Sequence, residues 1–328
     1  MSGVLAYSSE LPVAAKEVSG DLTLEHIVHG GDVLVHGNVA DCVTIESGGA
    51  VRIGGISTAQ RVLARGGITV LGGIKGANKA QYVTGGSLRT HYLDNAAVEA
   101  AADVLIDSEA VNSHIICGGR LIVRRGTLVA GHACARGGIH CRQLGSLGGR
   151  VRTIVEIGID AELEGIAVDA VRQVETSLSQ ARKSREASDR LVRHQRHLTA
   201  QQKELATELI FDASDMEAFA ASILNQFRQR IQESDQQVRQ RLRVMQVVHP
   251  PVTIRFLDVE ADIEQPAQGP VSVARLGGVG KGVVAVLRNG RVIAELNARN
   301  VPESPVAALR RLIRQQFAAA VPAEREAV

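Results

Sequence analysis

A pair of adjacent small residues recurs seven times along the chain, and nothing else in the sequence restricts the fold as tightly. Gly30-Gly31, Gly48-Gly49, Gly66-Gly67, Gly85-Gly86, Ala101-Ala102, Gly118-Gly119 and Gly137-Gly138 follow at intervals of 18, 18, 19, 16, 17 and 19 residues. After most pairs the chain reads apolar, any, apolar: Val33 and Val35, Val51 and Ile53, Ile68 and Val70, Val104 and Ile106, Leu121 and Val123, Ile139 and Cys141. So short a period has no room for a strand plus a long helix, and alternation at every second residue marks short strands with one face buried. Each unit therefore reads as one coil of a β-solenoid. Paired glycine permits tight corners and leaves space for the next coil to stack close above. A glycine-rich linker would lack the alternating β-branched residues. The general preference for right-handed parallel crossovers favours a right-handed β-helix of about seven coils.

Composition suits a chain of two or three structural units: 328 residues, 45% hydrophobic and 22% charged. A formal charge of +2 makes no electrostatic case for nucleic acid or a membrane surface as partner. The N-terminal stretch has no basic segment leading into an apolar run, and nowhere do about 18 apolar residues run together, so the expected setting is cytoplasmic with no membrane insertion. Cys42, Cys117, Cys134 and Cys141 show no Cys-x-x-Cys spacing, which suits free, buried thiols in a reducing compartment.

A different pattern follows the repeats. From about Leu163 to Leu209 apolar residues fall at helical spacing (Val171, Val174, Leu178, Ala181, then Leu191, Leu198 and Leu205), and glycine is missing between Gly165 and Gly269. A break at Phe211-Asp212 and a Ser214-x-x-Glu217 capping box predict the start of a second helix. Its stripe would be Met216, Ala220, Ile223, Phe227, Ile231, Val238, Leu242 and Met245, packing antiparallel on the first helix as a coiled-coil hairpin. Between residues 171 and 205 eight Lys or Arg stand against four acids. That surplus makes Arg182, Lys183, Arg185, Arg190, Arg193 and Arg196 the candidate docking residues for an acidic protein, against the blander reading of a solvated face with helix-stabilising pairs. Nucleic acid is disfavoured because no aromatics interleave with the charge.

After His249-Pro250-Pro251 a β pattern returns, and Asn289-Gly290 between Val283–Leu287 and Val292–Leu296 signals a hairpin. Ser304-Pro305 opens a last helix, with Val306, Leu309, Ile313 and Phe317 on one face. The expected organisation is an N-terminal segment and cap over residues 1–29, a mainly β solenoid over 30–160, the coiled-coil hairpin over 161–248, flanking or capping strands over 249–299, and a C-terminal helix and tail over 300–328.

Several motifs occur in an order that resembles the flagellar assembly protein A family. They are Gly66-Gly67-Ile68-Thr69-Val70-Leu71-Gly72-Gly73-Ile74-Lys75-Gly76-Ala77, His91-Tyr92-Leu93-Asp94-Asn95-Ala96-Ala97-Val98-Glu99-Ala100, Asn112-Ser113-His114-Ile115, Leu144-Gly145-Ser146 and Thr153-Ile154-Val155-Glu156-Ile157-Gly158. The resemblance covers about residues 20 to 160, and the helical segment with its Pro-Pro-Val-Thr-Ile return to β structure looks similar too. It implies a bacterial, cytoplasmic, non-enzymatic protein with a right-handed β-helix and a coiled coil. In some members the family links polar flagellation to protein partners, which implies enrichment at a cell pole. The family's usual large N-terminal domain is missing here, and Gly126-Thr127-Leu128-Val129-Ala130-Gly131-His132 replaces a more glycine-rich stretch. The solenoid also resembles, more weakly, the polymer-forming C-terminal domain of the cell-division inhibitor MinC.

Sites for chemistry are few. Gly277-Gly278-Val279-Gly280-Lys281-Gly282 looks like a phosphate loop but has Arg275 where the motif needs Gly and Gly282 where it needs Ser or Thr, so a strand-connecting turn is expected. His132, Cys134, His140 and Cys141 lie close in sequence without the paired-knuckle spacing of zinc ligands, and Cys141 falls on an inward position. A polysaccharide-active β-helix would need aromatic platforms and clustered carboxylates. This chain has no Trp, and Asp103, Asp107 and Glu109 read as an outward solvated patch. The sequence thus predicts no catalytic residue, cofactor or metal, but a cytosolic scaffold that binds a protein partner and self-associates.

Overall fold

The structure is a computed structural model that describes residues 14–24, 26–193, 199–237, 241–256, 259–276, 283–301 and 304–318. It divides into two compact units, one taking in the chain up to Ile159 and from Val238 to Asn300, the other Asp160–Gln237 with the chain from Val301 onward.

The first unit is a parallel β-solenoid of about eight turns. Three ladders of inward side chains fill it. One runs Val33, Val51, Ile68, Leu88, Val104, Leu121, Ile139 and Leu242, each paired in parallel register with the next. A second runs Ile27, Ile45, Val62, Tyr82, Val98, Ile115, Ala133, Val155 and Ile254. The third runs Leu22, Val39, Ser57, Ile74, Leu93, Ala110, Leu128, Leu144 and Val248. All of these are buried, and stacked aliphatic ladders remove apolar area from water at every coil boundary.

The glycine pairs have two distinct jobs. A Cβ on the first member would collide with a backbone carbonyl of the coil before: Gly30 for Gly48, Ala101 for Gly118. A Cβ on the second would strike an acid of that coil, Asp32 beneath Gly49 and Asp103 beneath Gly119. Those acids cap the next coil: Asp32 Oδ1 accepts from the Ala50 amide at 2.7 Å and Asp103 Oδ1 from the Arg120 amide at 2.8 Å. The amides would otherwise lack a partner where the strand hydrogen bonds stop. At another corner the backbone turns left-handed at Asn95 and Asn112 (φ 53° and 44°), conformations Asn tolerates, and Asn112 Nδ2 donates to Asn95 Oδ1 at 2.6 Å. The family-like Asn motifs are thus corner residues.

Two boundaries move. Lys16–Val18 and His26–His29 already pair in parallel with the following coils, so the solenoid begins within the segment expected to be a cap. Arg241–Val248, expected to end the second helix, is a strand lying on Ile139–Leu144, and Val252–Phe256 lies on Thr153–Ile157. The chain therefore leaves the solenoid after Ile157, makes two helices, and re-enters in register one turn on. That completes a turn more than the seven glycine-pair units mark. Chain direction then reverses. Val259–Ile263 pairs antiparallel with Val252–Phe256, and Val271–Leu276 with Arg241–Val248. A row of alternating charge crosses the reversal: Arg255 bonds Glu156 at 2.6 Å and Glu260 at 2.8 Å, and Arg299 bonds Glu260. The Asn289-Gly290 turn joins Val283–Arg288 to Arg291–Leu296 with positive φ at both residues, as its sequence requires.

The second unit holds three helices: α1 (Ala161–Arg193), α2 (Ala200–Gln237) and α3 (Pro305–Ala318). α1 and α2 pack as an antiparallel pair whose buried line is built largely from small residues seven apart, Ala167, Val174, Ala181 and Ser188 against Ala206, Ala213 and Ala220. Ser188 donates to the Ala206 carbonyl at 3.1 Å across it. The expected break at Phe211-Asp212 is absent, because α2 runs unbroken from Ala200. Its capping box is Thr199 with Gln202, each bonding the other's amide at 3.0 and 3.3 Å. Val306, Leu309 and Leu312 of α3 bury against Leu163, Ala167 and Ala170, and the Ser304 cap bonds Glu164 at 2.9 Å. The C-terminal helix thus belongs with the hairpin.

Candidate functional site

Two outward acids of the solenoid are spent on neighbouring coils. Asp103 bonds both the amide and the guanidinium of Arg120 at 2.8 and 2.9 Å, and Asp107 pairs with Arg89 at 3.4 Å and Arg124 at 3.5 Å. Burial alone would raise the Asp103 carboxyl, but the Arg120 hydrogen bonds and charge hold it below its ordinary range. A cavity of about 380 Å³ brings Tyr92 beside Asp94, Glu109 and Lys75, and Asp94 is tied to the Asn95 corner amide at 2.5 Å.

The four metal-capable residues, His132, Cys134, His140 and Cys141, are not brought together. His132 stacks on His114 of the coil before, with ring centroids 4.9 Å apart, and its Nε2 lies 3.3 Å from Glu156. His140 stands on a different face, next to Ile139 of the first ladder. Cys134 and Cys141 are buried, and burial pushes the Cys141 thiol up to about 12. Among the described residues no three His, Cys, Asp or Glu side chains group to hold an ion. Cys117 is buried as expected, whereas Cys42 is exposed at a corner, its thiol 3.0 Å from the Thr23 carbonyl. The glycine-rich segment 277–282 lies outside the described residues.

The basic residues of α1 turn out to be largely engaged within their own unit. Arg185 makes a two-pronged pair with Glu217 of α2 at 2.7 and 2.8 Å, Arg182 pairs with Glu186 at 2.9 Å and Arg193 with Asp189 at 3.5 Å. Arg190 bonds the Glu186 carbonyl at 3.2 Å. Lys183 is exposed, and Arg196 lies outside the described residues. α1 itself carries six basic groups and six carboxylates and α2 seven carboxylates against three basic groups, so the surplus counted over residues 171–205 does not belong to either helix.

Positive charge concentrates elsewhere. A groove of about 830 Å³ crosses the last three parallel rungs of the first ladder's outer face and the first antiparallel strand beyond them. Arg120, His140, Arg241, Arg243 and Arg275 supply its polar groups and Ile122 and Leu276 its exposed apolar area, and among the described residues no carboxylate lines it. Arg241 and Arg243 flank inward Leu242, so both point outward. Both are exposed, and neither has an ion-pair partner among the described residues. Periodicity hid this site, because its residues come from segments more than 100 positions apart.

A family model for the flagellar assembly protein A β-solenoid domain matches residues 16–278. The chain belongs to that family. The match begins at the first solenoid rung and spans the helical insertion as well as the returning strands. Neither the characterised proteins nor the solved structures compared with this family member contain a significant match. No helix among the described residues is long and apolar enough to cross a membrane.

Proposed function

We propose that this family member is a non-enzymatic cytoplasmic scaffold of bacterial flagellar assembly, which uses the solenoid as a rigid frame to bind a protein partner. One observation carries the reading. The solenoid interior is filled with largely aliphatic ladders, outward Asp103, Asp107, Glu156 and Glu260 hold neighbouring strands together, and of the two acids that share the small cavity at Tyr92, Asp94 is held by the Asn95 amide. A polysaccharide-active enzyme needs acids free to act as acid and base at a fixed separation. Self-association is part of the same proposal. Arg291–Leu296, bonded to Val283–Arg288, exposes Val292 and Ile293 at 46% and 50%, and strands exposed in this way are natural pairing edges.

Deleting the gene in the source bacterium tests the scaffold. Flagella should be lost or misplaced and restored by the intact gene, and sedimentation of the purified protein should report more than one chain per particle. Normal flagellation in the deletion strain, or hydrolysis of a polysaccharide by the pure protein, would refute it.

A further inference from the structure

We infer that the arginine groove at the C-terminal end of the solenoid binds a short acidic peptide segment of a partner protein, one in which carboxylates alternate with apolar residues. The inference rests on the scaffold reading and names the chemistry of its partner. Charge complementarity is the first argument: Arg120, Arg241, Arg243 and Arg275 with His140 line one cavity in which, among the described residues, there is no carboxylate. Arg120 is already bonded to Asp103, which fixes its fork at the groove edge, while exposed Arg241 and Arg243 remain to meet an incoming anion.

Spacing is the second argument. Arg241 and Arg243 sit two residues apart on one strand, hence roughly 6.6 Å apart along it, which matches side chains at alternate positions of an extended peptide. Four strands line the groove. Their separation of about 4.8 Å makes the groove about 14 Å wide, room for one extended peptide running along the Arg241–Arg243 strand with its side chains on either side.

The apolar area decides among anions. Half-buried Ile122 and exposed Leu276 offer apolar area to the intervening side chains of such a peptide, whereas a free phosphate has no use for it. Backbone N–H groups, the usual cradle of phosphate, are committed here to strand ladders and corner bonds, and no helix N-terminus is among the described lining residues. Among the described residues no Phe, Tyr or Trp lines the groove for a nucleobase to stack on.

The test titrates the full-length protein into a fluorescein-labelled hexapeptide of alternating Asp and Leu, a neutral version with Asn for Asp, and a labelled single-stranded dodecanucleotide, read by anisotropy at low and physiological salt. The acidic peptide should bind and weaken as salt rises, and the neutral one should not bind. Arg241→Glu with Arg243→Glu should weaken binding at least tenfold, Arg241→Gln with Arg243→Gln by less, and Lys183→Glu on α1 should leave it unchanged. Circular dichroism and melting of each variant confirm the fold, since exposed charges contribute little to stability. Failure of the acidic peptide to bind the wild type, equal binding by the groove variant, or tighter binding of the oligonucleotide through the same arginines would each overturn the proposal. Flagellation distinguishes this failure from that of the scaffold: a strain with normal dependence on the protein but no peptide binding in vitro leaves the scaffold standing and removes the groove.

Discussion

Tyr82 and Ser57 give the sharpest check on the coil register. Both are fully buried, Tyr82 in the second ladder and Ser57 in the third, and Tyr82 Oη donates to Ser57 Oγ at 2.7 Å across the core. Replacing Tyr82 with Phe leaves the Ser57 hydroxyl without its partner in an apolar interior, at about 1–3 kcal/mol. Ser57→Ala strands the phenol instead, at a similar cost. Removing both hydroxyls leaves two apolar surfaces, so the double variant should be no less stable than the worse single one, with a coupling energy of about 1–3 kcal/mol. Urea unfolding followed by far-ultraviolet circular dichroism measures all four corners of the cycle, with the slope checked for constancy. Burial also pushes the phenol well above its ordinary range, so it should ionise only with unfolding. A double variant whose loss equals the sum of the two single losses would mean that the hydroxyls do not meet, and that the pairing of Ser57 with Ile74 and of Tyr82 with Val62 is wrong.

Ile68→Asp places a carboxylate between Val51 and Leu88 with no partner and should cost several kcal/mol and loosen adjacent coils together; an unchanged melting temperature would contradict the first ladder. Gly118→Ala, whose Cβ would strike the Ala101 carbonyl, should destabilise by about 1–3 kcal/mol, whereas Gly290→Ala, with nothing near its Cβ, should show only the strain of its positive φ in a local turn. Acid should unfold the protein in two steps. Burial and the neighbouring His132 depress His114, so the unfolded chain takes up that proton first and stability falls as pH drops below 6.5; Glu260, held low mainly by Arg299, and Glu156, held low by His132 and Arg255 against its burial, lose their contribution as pH falls below 4.5. His114→Gln should erase the upper step and spare the lower, as read by melting against pH. Replacing residues 160–237 by a flexible linker and ending the chain at residue 300 should leave folded β structure, while extending the excision to 247 removes a rung and should not.

How far the sequence discloses this molecule depends on what each pattern reports. Val51, Ile68 and Val104 announce their ladder because period-two alternation and burial coincide, and Asn289-Gly290 announces its turn because few residues tolerate two positive φ values. The helical seam was harder to read. Large residues such as Leu205 and Met216 suggest it, yet they are 47% and 38% exposed, and the contact line runs through Ala206, Ala213 and Ala220, whose small size is the signal. Ser214 and Glu217 fit a capping box by spacing alone, but Glu217 is the partner of Arg185. Leu242 and Met245 continue a helical stripe as well as they begin a strand. Only the exposed Ile139–Leu144 rung, waiting for a partner, settles which they become. α3 joins α1 through contacts over 140 positions apart, beyond any local pattern.

The insertion and the groove have a common origin. A solenoid coil is stabilised by its nearest neighbours, so a chain excursion between two rungs costs only loop closure, which grows slowly with length, provided the excursion has a core of its own. The helical unit meets that condition with the cluster around Val174, Ala220 and Leu309. On its return the chain pairs Leu242 with Ile139 and Val248 with Leu144, and the next strands reverse direction and stop further stacking. On that returning turn Gln246 and Arg255 still bond Gln143 and Glu156 of the coil before, whereas Arg241 and Arg243 have, among the described residues, no ion pair like the one that ties Asp107 to Arg89 and Arg124. Both stand at outward positions with the antiparallel strand's Arg275 beside them. Charge that elsewhere holds coils together is here left facing solvent, which places the candidate binding site at the end of the stack, where the repeat gives out.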